Sequence, residues 1–171
     1  MTIVAIHQPE YLPWLGFFKK MMSSELFVFL DDAQFRKKGW QNRNRIRTKN
    51  GTTLLSVPVH VHSYPNINEI TIDNNKNWSK RHKKSILYNY ARAPYFEKFK
   101  DSIESVFEKK FGYLTDLNTE IIKFIMNELE IKPKIVFSSE LKISKKGSDR
   151  VLDICKTVGA DSYITGTVWA Q

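Results

Sequence analysis

Three groups of residues in this chain have types and spacings that could do chemistry. The first is a histidine that closes a short apolar run. His7 follows Ile3-Val4-Ala5-Ile6 and opens the stretch His7-Gln8-Pro9-Glu10-Tyr11-Leu12-Pro13-Trp14-Leu15-Gly16. An imidazole titrates near neutral pH, so His7 could act as general base, general acid or phosphate ligand. Pro9 and Pro13 each fix a φ angle in the following loop, which holds the ring on a stiff backbone. The competing reading is a histidine hydrogen-bonded within a turn.

The second group is Asp31-Asp32, which closes the apolar run Leu26-Phe27-Val28-Phe29-Leu30. Either carboxylate could bind Mg²⁺, orient His7, or accept a hydrogen bond from a sugar or ribose hydroxyl. Successive side chains on an extended backbone point apart, so one aspartate at a time can address a given ligand. A solvated turn or helix cap is the other use of such a pair.

The third group runs from Arg36 to Arg47 and mixes cations, amides and Trp40. Guanidinium and ammonium groups grip phosphate, amides read a ring edge, and an indole stacks on a base or sugar face. In this reading Arg43 and its basic neighbours neutralise phosphate, while Gln8, Trp40, Gln41 and Asn42 position a sugar or base. Such a segment serves either a nucleotide-linked or otherwise anionic small molecule, or a single strand of nucleic acid. A solvated basic loop is the reading without function.

These groups need elements to hold them. The runs ending at His7 and at Asp31 lack alternation, as expected of strands buried on both faces of a parallel sheet. Leu15, Phe17-Phe18 and Met21-Met22 give one short helix between them, so the first 32 residues read as a βαβ unit. Two β-rich runs at 53–59 and 67–73, joined through Pro65, suggest a hairpin-like excursion. Pro58, having no N–H, belongs at a sheet edge or bulge.

Helical spacing then takes over at Trp78–Tyr90, Phe96–Phe107 and Tyr113–Leu129, with a break at Ala93-Pro94. Trp78 and His82 stand four residues apart and face one side of the first of these helices. By residue types alone that helix is structural. A strand at Ile135–Phe137, a helix at Ser148–Val158 stopped by Gly159, and a strand at Tyr163–Thr165 restore α/β character. The expected fold is a mostly parallel, Rossmann-like α/β sheet with helices on both faces, a small β-hairpin insertion and a central helical segment. Residues 1–171 are expected to form one α/β domain. The chain stops just after a strand and Gly166, which predicts a further C-terminal segment in relatives.

In open parallel sheets ligands bind beyond the carboxyl ends of the strands. That edge would collect His7-Gln8-Pro9, Asp31-Asp32, Ser138-Ser139 and Gly166-Thr167. The composition is compatible with such an enzyme: 42% hydrophobic, 13% aromatic and 26% charged residues suit a packed core. One cysteine, Cys155, sits in an apolar helical pattern, which argues for a buried thiol and a reducing cytoplasm. No run approaches the ~18 apolar residues of a membrane span. The net charge of +9 is clustered: seven Lys/Arg and no acid lie between Arg36 and Lys49, and five more cations between Lys76 and Lys84. Phosphate-bearing partners are the natural match. Gly-rich phosphate loops, dinucleotide fingerprints, Cys/His zinc spacings and nucleophile elbows are all missing, which disfavours those enzyme classes.

Taken together, the segments 7–16, 27–35 (Phe-Val-Phe-Leu-Asp-Asp-Ala-Gln-Phe), 40–46 (Trp-Gln-Asn-Arg-Asn-Arg-Ile), Trp78 with His82, 93–96 (Ala-Pro-Tyr-Phe), 116–118 (Asp-Leu-Asn) and the tail from Arg150 to Gly166 resemble the WbqC-like protein family. Its members are bacterial proteins found among genes for surface polysaccharides, especially those with modified amino sugars, and are regarded as enzymes of transferase type. The resemblance implies a pathway more than a reaction. It also brings Trp78, His82, Asp116 and Asn118 into the expected substrate site, which further includes Tyr11, Trp14, Gln34, Asn44, Ser139, Arg150 and Gly166, beside His7, Asp31 and Asp32 as catalytic candidates. A weaker likeness, in architecture alone, is to the HIGH-motif nucleotidylyltransferases, whose second histidine this chain lacks.

The expected function is therefore transfer of a group to an amino sugar carried on a nucleotide or lipid phosphate, in surface polysaccharide (O-antigen type) synthesis. His7 would be the acid/base, and no resident cofactor is specified beyond the nucleotide-linked substrate and Mg²⁺. A nucleotidyl-transferring or adenylate-forming enzyme is the nearest alternative, and a single-stranded nucleic-acid-binding module the alternative of another class.

Overall fold

The chain forms, in order, β1 (Ile3–His7), α1 (Leu15–Met22), β2 (Leu26–Phe29), β3 (Arg43–Thr48), β4 (Gly51–Ser56), β5 (Val59–His60), β6 (Thr71–Ile72), α2 (Trp78–Tyr90), α3 (Phe96–Glu108), α4 (Leu114–Glu128), β7 (Lys134–Phe137), α5 (Gly147–Thr157) and β8 (Ser162–Ile164). The structure is a computed structural model and describes residues 1–166. Two compact units divide the chain. The first holds Met1–Pro9, Pro13–Ala33 and the chain from Ile125 onward; the second holds Glu10–Leu12 and Gln34–Phe124.

In the first unit the strands form one sheet of order β7-β2-β1-β8. All three pairings are parallel, with His7 opposite Phe29 and Phe29 opposite Phe137. Side chains alternate across the sheet, so its two faces can be read from residue parity. Val4, Ile6, Leu26 and Val28 point to one face, where they form a buried cluster with Ile154 of α5, flanked by Val151, Cys155 and Val158. His7, Phe27 and Phe29 point to the other. There Phe17 of α1 packs on His7 at 4.9 Å and on Phe27 at 5.5 Å between ring centroids. Helices thus cover both faces, and the fold is the expected Rossmann-like α/β arrangement. Cys155 is partly buried, and desolvation raises its thiol pKa.

α1 lies between Pro13, which cannot extend a helix backwards, and Ser23, whose N–H bonds the Lys19 carbonyl at 3.2 Å. The indole of Trp14 lies over Gly16, where a Cβ would come within 2.0 Å of the ring. A larger residue at position 16 would displace this exposed indole.

In the second unit β3 and β4 form an antiparallel hairpin in which Thr48 pairs with Gly51, and Gly51 takes φ +123°. β5 pairs with β6, Val59 opposite Ile72. The excursion expected from 53–59 and 67–73 is thus present only in its inner rungs, because Gly51–Ser56 pairs backward with Arg43–Thr48. That basic stretch is a strand, not a loop. Its alternation is masked because one row carries Arg43, Arg45 and Arg47, and the other has a single buried aliphatic residue, Ile46. Pro58 sits between β4 and β5 and accepts the Asp73 N–H at 2.9 Å. The helices α2, α3 and α4 match the sequence expectation to within a residue or two. No helix among the described residues is long and apolar enough to cross a membrane.

Candidate functional site

The strand order of the first unit determines where a ligand can enter. From β1 the chain crosses to β2 on one side and continues outward to β7, then returns to place β8 on the other side of β1. The switch point lies between the carboxyl ends of β1 and β8, the position at which open parallel sheets take their ligands. His7 is the last residue of β1, and Thr165 and Gly166 follow β8. Thr167, also expected at this edge, lies outside the described residues.

His7 is half-buried, and its Nδ1 bonds the Gln8 carbonyl at 3.0 Å. A carbonyl only accepts, so Nδ1 carries the proton and Nε2 is the basic nitrogen of the neutral ring. Burial lowers the His7 pKa from 6.5; the bond to Gln8 partly restores it, and the charge of Lys20 lowers it further. At neutral pH His7 is a base awaiting a proton.

Lys20 is the residue the sequence did not single out. It stands in the last turn of α1, where lysine is ordinarily a solvated end charge. Here Nζ donates to the Ile6 carbonyl at 2.8 Å and lies 5.8 Å from the centre of the Tyr163 ring. Burial lowers its pKa. The neighbouring ends of β1 and β8 therefore carry a basic imidazole and a partly desolvated ammonium.

Asp31 and Asp32 occupy the neighbouring edge and are bound into the scaffold. Asp31, 4% exposed, accepts bonds from the Ser139 N–H (3.0 Å), the Ser139 hydroxyl (2.7 Å) and the Ser138 hydroxyl (3.2 Å). Asp32 accepts the Ser138 hydroxyl and forms an ion pair with Arg150, which also bonds the Asp32 carbonyl at 3.4 Å. This network fastens the end of β2 to the end of β7 and to α5. Among the described residues no hydrogen bond joins either aspartate to His7, and no group of three His, Cys, Asp or Glu side chains is close enough to hold a metal ion.

The remaining candidates belong to the second unit, and most act on their own backbone. Tyr11 and His82 are both buried and lie 2.8 Å apart, Oη to Nδ1. The ring of Trp78 meets that of His82 edge-on at 5.4 Å. Desolvation and the nearby Arg81 charge push the His82 pKa down to about 4, against a backbone hydrogen bond at Ser56. Asn44 donates to the carbonyls of Tyr11 (3.2 Å) and Leu12 (2.8 Å), Asn42 to Val57 (2.9 Å), and Asn118 to Gln41 (2.7 Å). Arg43 donates to the carbonyls of Lys37 (3.0 Å) and Gly39 (3.3 Å). At Gly39 a Cβ would lie 2.1 Å from the side-chain oxygen of buried Gln41, so a larger residue before Trp40 would displace that amide. Trp40 is exposed, and its carbonyl accepts the Tyr11 N–H at 3.0 Å. Gln34 and Asp116 are exposed, Asp116 in the first turn of α4.

Charge divides as sharply as function. The second unit contains 18 Lys/Arg against nine Asp/Glu, whereas the first contains nine of each. The whole net charge of +9 thus belongs to the second unit. Glu10 sits in that unit, and burial raises its carboxyl pKa to about 7.

A protein of Mycobacterium tuberculosis described as uncharacterized protein Rv1507c is 31% identical over 169 residues, covering 97% of this chain and 73% of that protein. No solved structure matches the chain. The model of the WbqC-like protein family matches residues 8–169, from the residue after His7 through the β8 end, and the chain belongs to that family.

Proposed function

We propose that the protein is a transferase acting on an amino sugar carried on a nucleotide or lipid phosphate, in the synthesis of bacterial surface polysaccharide. One observation carries this reading: a neutral histidine and a partly desolvated lysine stand together at the switch point of a parallel sheet. Nε2 of His7 takes the proton from the acceptor amine or hydroxyl as that atom bonds to the donor's carbonyl or phosphoryl centre. It then returns the proton to the departing group, so the base is regenerated. Lys20 supplies positive charge for a phosphate or developing oxyanion at the same strand ends. Asp31, Asp32 and Arg150 keep the strand ends in place instead of meeting substrate. The single cysteine supports a reducing cytoplasm as the site of action.

Two measurements test the proposal. A thermal-shift screen across nucleotide sugars, nucleotides and acyl donors is expected to find a ligand that raises the melting temperature with the logarithm of its concentration. In a coupled assay with that ligand, His7→Ala is expected to lose product formation while keeping the wild-type melting curve. Full activity in that variant refutes the assignment.

A further inference from the structure

A cleft of about 470 Å³ in the second unit is unused by the mechanism above. That is a size at which small-molecule sites begin to bury their ligands. Its polar lining comes from Gln34, Lys37, His62, Ser63 and Tyr64, with Phe35 among its apolar residues. These residues carry an amide, an ammonium, an imidazole, an aliphatic hydroxyl and a phenol, and none of the described lining residues is a carboxylate. This set matches a ligand with several hydroxyls and a negative charge.

The cleft is built and not incidental. Its two sides are joined by a backbone hydrogen bond from the Phe35 N–H to the Pro65 carbonyl at 2.9 Å and by an antiparallel bridge between Gln34 and Asn66. Behind Asn66 a 3-10 turn over Ile67–Glu69 is fixed by reciprocal capping of Asn66 and Glu69, with Ile67 fully buried. On the opposite side Arg43 donates to the Lys37 carbonyl, which holds the segment that carries the ammonium. Tyr64 tops this frame with φ +47° and is 85% exposed. A tyrosine at the rim of a polar cleft offers an apolar face to a sugar ring and a hydroxyl to its edge. The unit that contains the cleft also holds the chain's entire positive excess, so its field draws anions.

We propose that this cleft is a separate binding site for a phosphorylated sugar, distinct from the position of substrate at His7, with Lys37 and His62 at the phosphate, Tyr64 on the sugar face, and Gln34 and Ser63 at ring hydroxyls. The inference rests on the transferase reading for its choice of sugar, while its test is a binding measurement independent of turnover. Titration calorimetry of the full chain with N-acetylglucosamine 1-phosphate, N-acetylglucosamine and inorganic phosphate is expected to show the sugar phosphate binding best. Lys37→Gln and Tyr64→Ala are each expected to weaken it by about tenfold or more, as loss of a charge-assisted contact implies. Both positions are exposed, so melting curves should stay at wild type and separate lost binding from lost fold.

Equal affinity of wild type and both variants for the sugar phosphate, or no binding by wild type at millimolar concentration, overturns the cleft. If the variants bind more weakly while His7→Ala retains full activity, the cleft stands and the transferase site falls. The reverse pattern removes the cleft and leaves the transferase reading in place.

Discussion

Oη of Tyr11 lies 2.8 Å from Nδ1 of His82, a residue 71 positions along the chain, and both side chains are shut away from solvent. A neutral imidazole that gives its one N–H to a backbone carbonyl must accept at the other nitrogen, so the phenol donates. The opening motif and the Trp78/His82 pair are therefore joined by one buried hydrogen bond. Tyr11→Phe removes the donor and leaves the acceptor buried, which is expected to cost about 1–3 kcal/mol. For a chain of this size the melting temperature should drop by roughly 2–4 °C per kcal/mol. An unchanged melting temperature would mean that the hydroxyl contributes nothing to the fold.

The second unit should show two opposing pH dependences. His82 has a folded pKa near 4 against 6.5 unfolded, so the unfolded chain binds the extra proton and stability is lost as pH falls from 6.5 toward 4. Glu10 runs the other way. Its folded pKa near 7 exceeds the unfolded 4.5, so stability is lost as pH rises from 4.5 toward 7. Each full shift is on the order of 3 kcal/mol, and over their shared range the two nearly cancel. Denaturant unfolding across pH 4–8 is expected to give a flat profile for wild type, a rising one for Glu10→Gln and a falling one for His82→Asn. Identical profiles in all three proteins would contradict both assignments.

Lys20→Met removes a charge that lowers the pKa of His7. The imidazole should then titrate at a higher pH, and the acid limb of any His7-dependent activity should move up with it. NMR of the ring protons measures the first effect without an assay. A titration midpoint that stays in place would show that the two side chains do not communicate.

The aspartates should behave as structural residues. Asp31→Ala strands the Ser138 and Ser139 donors and is expected to cost about 3 kcal/mol. Arg150→Ala exposes Asp32 to the loss of its ion pair and should cost less, because both partners retain some solvent contact. Activity, assayed below the melting transition of each variant, is expected to persist. A stable but inactive Asp31→Asn would instead return the carboxylate to the chemistry.

How much of this was legible in the sequence varied with the element. The runs at Ile3–His7 and Leu26–Phe29 declared themselves because strands buried on both faces leave no room for polar residues. Trp78–Tyr90 was equally clear, since its buried residues Trp78, His82 and Ile86 recur every four positions. β3 escaped because its exposed row is arginine, and charge there looks the same in a strand as in a loop. Within the site, His7 was visible from its place at a strand end. Lys20 was not, nor in the second unit was Glu10, because desolvation depends on what the fold stacks over a residue, and neither helix-end lysine nor loop glutamate carries a local sign of it. Of the amides, Asn42 was visible in the basic segment, while Asn118 entered by resemblance. Their work, bonding the carbonyls of Gln41, Val57 and Tyr11, could be assigned only with the backbone in view.

The alternation in β1, with His7 toward Phe17 and Val4 and Ile6 toward α5, also governs how this stretch can vary between lineages. Swapping one aliphatic side chain for another keeps each on its side of the sheet. Gaining or losing a single residue between Ile3 and His7 exchanges the two sides, so that the imidazole enters the oily layer against Ile154 and an aliphatic residue takes its position at the strand end. The location of the base is thus inherited as a count of residues, and insertions or deletions in this strand should be absent from any descendant that keeps the chemistry.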